Sequence, residues 1–315
     1  MVILICAQQD DVHAEAVAEK INTIGHQAVL LKRYELENYI TYNFKPGVSD
    51  ALIKINNKKY SICDDIRAMY WRVKPTLLSE IPGEASCMED KLRAQEWKEA
   101  IAAIEMFMDK SKPIVNPLST RTHWNRKVAQ LKLANDCGLQ IPLTTISNDY
   151  KEILNNIGSE DLIYKTLSFF LSVEGTIYTN KIDRQQVSQS RDSIFLTPGI
   201  FQQLIPKAFE LRVTVVGDKV FPIKVDSQKD SRTTLDWRHV QEEHFFSQGM
   251  LMADTTRKLL DFHQKSGLVY GAYDFIVTTE GQEIFLECNP GGQWLFTGNE
   301  LGESITTAIA EYLAR

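Results

Sequence analysis

Asp274, Glu287 and Asn289 have the residue types and the spacing of ligands for a hard cation. Residues 273–277 and 284–289 are apolar, β-rich runs around the polar stretch Thr279-Glu280-Gly281-Gln282, which is the pattern of a β-hairpin. With Glu280-Gly281 at the tip, Asp274 lies opposite Glu287. Alternation then puts Glu287, Asn289 and Asp274 on one face. Two carboxylates and an amide oxygen make an oxygen-rich site suited to Mg²⁺, an ion that commonly arrives holding phosphates. Taken alone, the same set also fits a calcium clamp or a structural polar cluster. Cys288 falls between two of these residues, but alternation turns it to the opposite, apolar face.

Three further features fit a phosphate site. Lys165 interrupts the apolar run Leu162-Ile163-Tyr164-Lys165-Thr166, where a buried ammonium needs anionic partners. The competing reading is an edge-strand lysine facing water. Lys127 stands near the start of a helix, within reach of a phosphate or simply solvated. Glu210 and Arg212 share one face of the run 210–216, while Leu211, Val213 and Val215 take the other. They are poised for substrate, for phosphate or for each other. His123 has no partner at metal-ligand spacing and reads as structural or capping.

The elements that position these residues belong to an α/β chain, α+β in parts. The chain has 315 residues, 43% hydrophobic and 24% charged, enough for two or three domains. A net charge of −6 with dispersed Lys and Arg gives no support for a nucleic-acid partner. No apolar run is long enough for a membrane span, and the N-terminus lacks the basic region of a signal peptide. Five scattered cysteines without a CxxC read as reduced, buried thiols of a cytoplasmic protein.

Val2–Ala7, a helix over 12–25 and a strand over 27–31 give a βαβ start with a parallel sheet. Its strand–helix turn is Gln8-Gln9-Asp10-Asp11, so no dinucleotide fingerprint is present. A hairpin follows over 51–63, then a strand over 68–73 ending at Lys74-Pro75, a helix over 89–108 and a short strand over 113–116. Next come one helix over 120–137, strands over 143–147, 161–166 and 175–181, and a polar surface segment over 183–192. From Ile200 the chain is strand-rich, with helices over 252–266 and 304–312. The segments divide as 1–115, 116–198 and 199–315.

From Asn116 onward the chain resembles the ATP-grasp ligases, and within them the graspetide ligases, the macrocyclases of microviridin-type peptides. The resemblance rests on Asn125-Arg126-Lys127, the run from Gly138 to Thr144, Tyr164-Lys165-Thr166-Leu167 and Phe201-Gln202-Gln203. It continues in the run from Glu210 to Gly217, Asp236-Trp237-Arg238, Asp274-Phe275 and the run from Leu286 to Trp294. Tyr70-Trp71-Arg72 agrees more loosely. The resemblance implies an ATP-grasp fold: an N-terminal pre-ATP-grasp domain, a small central lid-type domain and a C-terminal antiparallel-sheet domain.

The resemblance also implies roles. Lys127 and Lys165 would contact ATP phosphates. Gln203, Leu204 and Ile205 would bind adenine as a hinge, and Glu210 would lie near the ribose and phosphates. Arg212 and Arg238 would face the γ-phosphate or the activated carboxyl, and Asp274, Glu287 and Asn289 would hold Mg²⁺. Residues 168–175 depart from the family's Gly-rich lid, with Phe169-Phe170-Leu171 and one glycine, so the closing loop would be shorter or engage peptide. The implied activity is ATP-dependent macrocyclisation of a precursor peptide, leader plus core, by a homodimer. An ATP-grasp ligase that adds an amino acid to a carboxylate, and an ATP-binding module without turnover, are the alternatives.

Overall fold

The computed structural model describes residues 1–32, 38–72, 88–158, 161–167, 171–172, 175–176, 180–239 and 245–315. The end of the strand expected over 68–73 with Lys74-Pro75, Cys87 and most of the 168–175 loop lie outside the described residues.

The chain opens with β1 (Val2–Ala7), α1 (Val12–Thr23) and β2 (Ala28–Lys32). Asp11 caps α1, accepting from the His13 and Ala14 N–H groups at 3.0 and 3.1 Å. An antiparallel sheet follows: β3 (Tyr39–Lys45), β4 (Val48–Ile55) and β5 (Lys58–Ser61). The sequence pattern shows only the last two strands as a hairpin; β3 is mostly exposed, with Ile40 and Tyr42 packing on the core. β6 (Ile66–Trp71), α2 (Met88–Ala103) and β7 (Ile114–Val115) complete the unit. The main sheet is parallel, in the order β2-β1-β6-β7.

The single helix expected over 120–137 is two, α3 (Leu118–Trp124) and α4 (Lys127–Asp136), broken at Asn125-Arg126. The break places Lys127 in the first turn of α4. β8 (Thr144–Ser147), α5 (Tyr150–Asn156) and β9 (Asp161–Lys165) follow. The strand expected over 175–181 is divided: β10 (Leu171–Ser172) pairs with β11 (Gly175–Thr176), and β12 (Asn180–Asp183) joins β9. The polar stretch expected at the surface over 183–192 is mostly exposed and folds into α6 (Arg184–Gln189) and the start of α7 (Arg191–Leu196). A capping box between Asp183 and Gln186 starts α6. β13 (Gly199–Gln203) lies beyond residue 198, yet it hydrogen-bonds into the central sheet, in the order β12-β9-β13-β8.

The last sheet is built from β14 (Phe209–Val216), β15 (Lys219–Val225), β16 (Phe246–Gln248), β17 (Tyr270–Val277) and β18 (Glu283–Asn289). It is antiparallel, in the order β16-β15-β14-β17-β18. α8 (Ala253–Ser266) ends at Gly267, whose left-handed φ of 67° suits glycine, and α9 (Asn299–Leu313) closes the chain.

One face of this last sheet is apolar throughout. Leu211, Val213, Val215, Tyr273, Phe275, Phe285 and Cys288 pack with Ala134 of α4 and with Leu259 and Phe262 of α8. The other face is divided. Val216, Tyr270 and Ala272 join a core shared with β1, α1 and α9, while Glu210, Arg212 and Asp274 lie toward the central sheet. Cys6 and Cys288 are buried, as expected, but Cys63 is exposed and Cys137 only half-buried, because both lie at element ends.

Candidate active site

A cavity of about 280 Å³ opens between the central and the last sheet. Ile163 and Lys165 line it from β9, residues 202–207 from β13 and the linker after it, and Glu210, Asp274 and Glu287 from β14, β17 and β18. The segment Leu235-Asp236-Trp237-Arg238 forms a further wall. Lys127, Arg212 and Asn289 border this group rather than line the cavity.

Antiparallel pairing sets Asp274 directly across from Arg212 on one side and from Glu287 on the other. Arg212 Nη1 donates to Asp274 Oδ1 and Oδ2 at 2.9 and 3.0 Å. Both side chains are under a tenth exposed. Arg212 therefore does not pair with Glu210. Glu210 accepts from Lys207 Nζ at 2.6 Å, and the same ammonium donates to the Leu235 carbonyl at 3.2 Å.

Glu287 sits among cations. Arg238 Nη1 donates to its Oε1 at 3.1 Å, and Lys127 Nζ lies 3.9 Å from its Oε2. Arg238 is held by a fork, donating from Nε and Nη2 to the two oxygens of Asp236 at 2.8 and 2.9 Å. Lys127 Nζ donates to the Thr166 carbonyl at 3.2 Å. Among the described residues Lys165 makes no hydrogen bond or ion pair. Asn289 is exposed, and its Oδ1 accepts from the Gly291 N–H at 3.0 Å.

The linker after β13 offers backbone. The Gln203 N–H donates to Leu143 O at 2.9 Å and the Leu204 N–H to Asp161 O at 3.2 Å. Among the described residues the Ile205 N–H meets no acceptor.

The field in the site is mixed by design of the strands. Burial pushes the Asp274 carboxyl above its ordinary range, against the pull of Arg212, and Glu287 adds to the rise. Burial acts on Glu287 too, but Arg238, Lys127, Lys165 and Arg212 together outweigh it and hold this carboxyl low. Burial draws the Lys165 ammonium below the usual lysine range, and Lys127 and Arg238 act the same way against Glu287. Burial raises Glu210 despite Lys207.

The donor set fits a magnesium ion. Asp274 and Glu287 repel each other across one strand pair, a cost that a dication between them would relieve. The Asn289 amide oxygen keeps acceptor capacity beyond its bond to Gly291. Among the described residues no group of three or more His, Cys, Asp or Glu is placed to hold a metal. That agrees with Mg²⁺, which takes one or two carboxylates and completes its shell with water and phosphate oxygens.

Several residues of the site carry no signal of their own in the sequence. Lys207 fixes Glu210 from a loop, where spacing has no period to read, while Asp236, which holds Arg238, is marked only by the motif Asp236-Trp237-Arg238. Asn116 is buried and satisfies four backbone groups. It donates to Tyr270 O and Pro290 O at 2.7 and 2.9 Å, and accepts from Val269 and Tyr270 N–H at 2.8 and 2.9 Å. It thereby ties the start of the second segment to both ends of the hairpin that carries Asp274 and Glu287.

No protein-family model matches the chain, and no curated protein matches it by sequence. Solved structures match it along its whole length. The RiPP-associated ATP-grasp ligase of Chryseobacterium gregarium, in complex with ADP and a leader and core peptide, gives a TM-score of 0.84 at 24% identity, covering 100% of this chain and 97% of that one. The macrocyclase MdnC of Microcystis aeruginosa MRC, bound with precursor peptide MdnA, gives 0.83 at 27% identity, covering 100% and 99%. The ATP-grasp ligase PsnB, complexed with a phosphomimetic variant of minimal precursor, Mg and ADP, gives 0.75 at 18% identity, covering 100% and 98%. Fold and site together define an ATP-grasp ligase, an ADP-forming carboxylate ligase. Within that class the solved structures it is similar to include a RiPP-associated ligase and a macrocyclase, each captured with peptide.

Proposed function

We propose that the chain is a macrocyclase of a ribosomally made precursor peptide. The carrying observation is a cavity with, on one wall, a backbone N–H at Ile205 that meets no acceptor among the described residues and, on the other, the Asp274–Glu287 pair, ringed by Lys165, Arg212 and Arg238. Adenine would take the hinge over Gln203, Leu204 and Ile205. Lys127 and Lys165 would meet the phosphates, with Glu210 near the ribose. Asp274, Glu287 and Asn289 would hold Mg²⁺, which when bound supplies charge neutralisation at the phosphates.

An Asp or Glu side chain of the peptide attacks the γ-phosphorus. The bond to the β-phosphate oxygen breaks, and ADP leaves behind an acyl phosphate. A Ser or Thr hydroxyl of the same peptide then attacks the acyl carbon and loses its proton; inorganic phosphate departs and a macrolactone closes. A Lys amine in that place would give a macrolactam. Arg212 and Arg238 orient the phosphoryl group and offset charge on the oxyanion. Arg212 reaches that role by sharing its guanidinium between Asp274 and substrate. The full-length likeness to a macrocyclase at 27% identity supports the substrate class. The four cysteines among the described residues are unpaired, which suits a cytoplasmic setting, and the family resemblance implies a homodimer.

The test is mass spectrometry after incubation with ATP, Mg²⁺ and the precursor peptide encoded nearest the gene. Loss of one water per ring with matching ADP release is the expected result. A product heavier by one residue would instead mark an amino-acid ligase. Nucleotide binding without ADP release would mark a module that does not turn over.

A further inference from the structure

β18 is the outer strand of its sheet, so half of its backbone groups face away from β17. At Cys288 one side chain takes both outward groups. Gln130 Oε1 accepts from the Cys288 N–H at 2.9 Å, and Gln130 Nε2 donates to the Cys288 carbonyl at 2.7 Å. Nε2 also donates to the Trp124 carbonyl at 2.5 Å, and the side chain is buried. The amide stands in for a missing strand at the one residue between Glu287 and Asn289.

The place of this clamp matters because the strand is irregular there. Outward N–H groups recur every second residue in a regular antiparallel strand. Here they occur at Phe285, which donates to Gln140 O at 2.8 Å, and at Cys288, three residues on. The extra residue is a bulge that shifts the register from Phe275–Phe285 to Asp274–Glu287. Continued without it, the pairing would set Leu286 opposite Asp274 and turn Glu287 toward the apolar core that holds Phe285. The bulge is therefore what delivers Glu287 to the cavity, and Gln130 and Gln140 fasten its two sides.

We propose that Gln130 is a positioning residue that locks this bulge and so sets Glu287 and Asn289 for the metal. Lys127 lies three residues earlier on the same face of α4, so one helix spaces the phosphate-side cation and the metal-side carboxylate. The proposal rests on the metal assignment above.

The experiment measures Mn²⁺ affinity by paramagnetic resonance in the presence of ADP, together with amide exchange in the metal-free protein. Gln130→Met is expected to weaken Mn²⁺ binding by about tenfold, as loss of a group that orients ligands does. The Cys288 amide loses protection, while ADP binding without metal changes less than twofold. Gln130→Glu keeps the acceptor for the Cys288 N–H and adds negative charge. Weaker Mn²⁺ binding in that variant would therefore come from geometry and not from electrostatics. It also serves if Gln130→Met does not fold. Glu287→Gln is the reference. Should it lower Mn²⁺ affinity while both Gln130 variants keep the wild-type value, the positioning role is overturned and the metal site stands. Should Glu287→Gln itself leave the affinity unchanged, both are overturned.

Discussion

At the scale of single residues, Arg212 and Glu287 carry opposite kinds of risk. Arg212 is buried, with one guanidinium nitrogen on both oxygens of Asp274. Taking away one partner of a buried ion pair leaves the other charged and desolvated, at a cost of about 3–5 kcal/mol. Arg212→Ala is therefore expected to lose stability as well as ring closure. Adding Asp274→Asn to it should recover part of that stability, since the stranded charge is gone. Urea denaturation of the single and double variants reads this directly; a double variant no more stable than Arg212→Ala would mean that the pair carries no such strain. Glu287 faces four cations, so its neutral amide takes a counter-charge from Lys165 and Lys127 but relieves the repulsion with Asp274, and Arg238 keeps its fork to Asp236. Glu287→Gln should stay folded and release no ADP in the presence of precursor. Near-normal release would remove Glu287 from the metal site.

At the scale of elements, the turn after β18 shows how closely the backbone must approach the site. A Cβ on Gly292 would lie 2.6 Å from Arg212 Nη2 and 2.7 Å from the Ala272 Cβ. Gly292→Ala must push the guanidinium or the strand, and overpacking of this kind costs about 1–3 kcal/mol. Lower melting temperature and slower ADP release are expected together, because the displaced group is the one that holds Asp274. Gly158→Ala, with no atom within 4 Å of the added carbon, is the control and should leave both unchanged.

The same scale shows what could be read from sequence. Alternation on β14 and β17 set Glu210, Arg212 and Asp274 on one face because a strand's period of two is rigid, whereas Glu287 joins them through the bulge in β18, which nothing in the sequence pattern announced. Their partners were not legible. Glu210 takes Lys207 and Arg212 takes Asp274, and such choices depend on side-chain reach across strands. The break at Asn125-Arg126 carries neither Pro nor Gly, so nothing local announces two helices where one was expected. α6 was missed although its capping box, Asp183 with Gln186, is written in the sequence. Gln130 left one trace, a polar side chain among Leu131 and Ala134 on the buried face of α4.

At the scale of the whole molecule, the N-terminal unit meets the last sheet along a seam that contains His13, Arg72 and Trp294. The His13 ring lies 4.5 Å from the Trp294 ring, and Arg72 Nη1 donates to Gly291 O at 2.7 Å while its Nε pairs with Asp11 at 3.1 Å. Burial, with Arg72 adding to it and Asp11 opposing, lowers His13 from 6.5 to about 4. Burial likewise lowers His263, which lies under the last sheet 2.6 Å from the Tyr273 hydroxyl, to about 4. A histidine whose folded pKa lies below its unfolded value binds fewer protons when folded. Its contribution is complete above pH 6.5 and is lost as pH falls toward 4, by up to about 3 kcal/mol for each ring. The protein is thus expected to lose stability over this window. Asp274 and Glu210, whose carboxyls are raised by burial, act in the opposite sense within it, so the histidine share must be isolated by substitution. His13→Phe keeps a ring against Trp294 and removes the titrating group beside Arg72. Urea midpoints measured at pH 7, 6 and 5 should fall less steeply for this variant than for the wild type, and parallel profiles would show that the seam does not bind its histidine neutral.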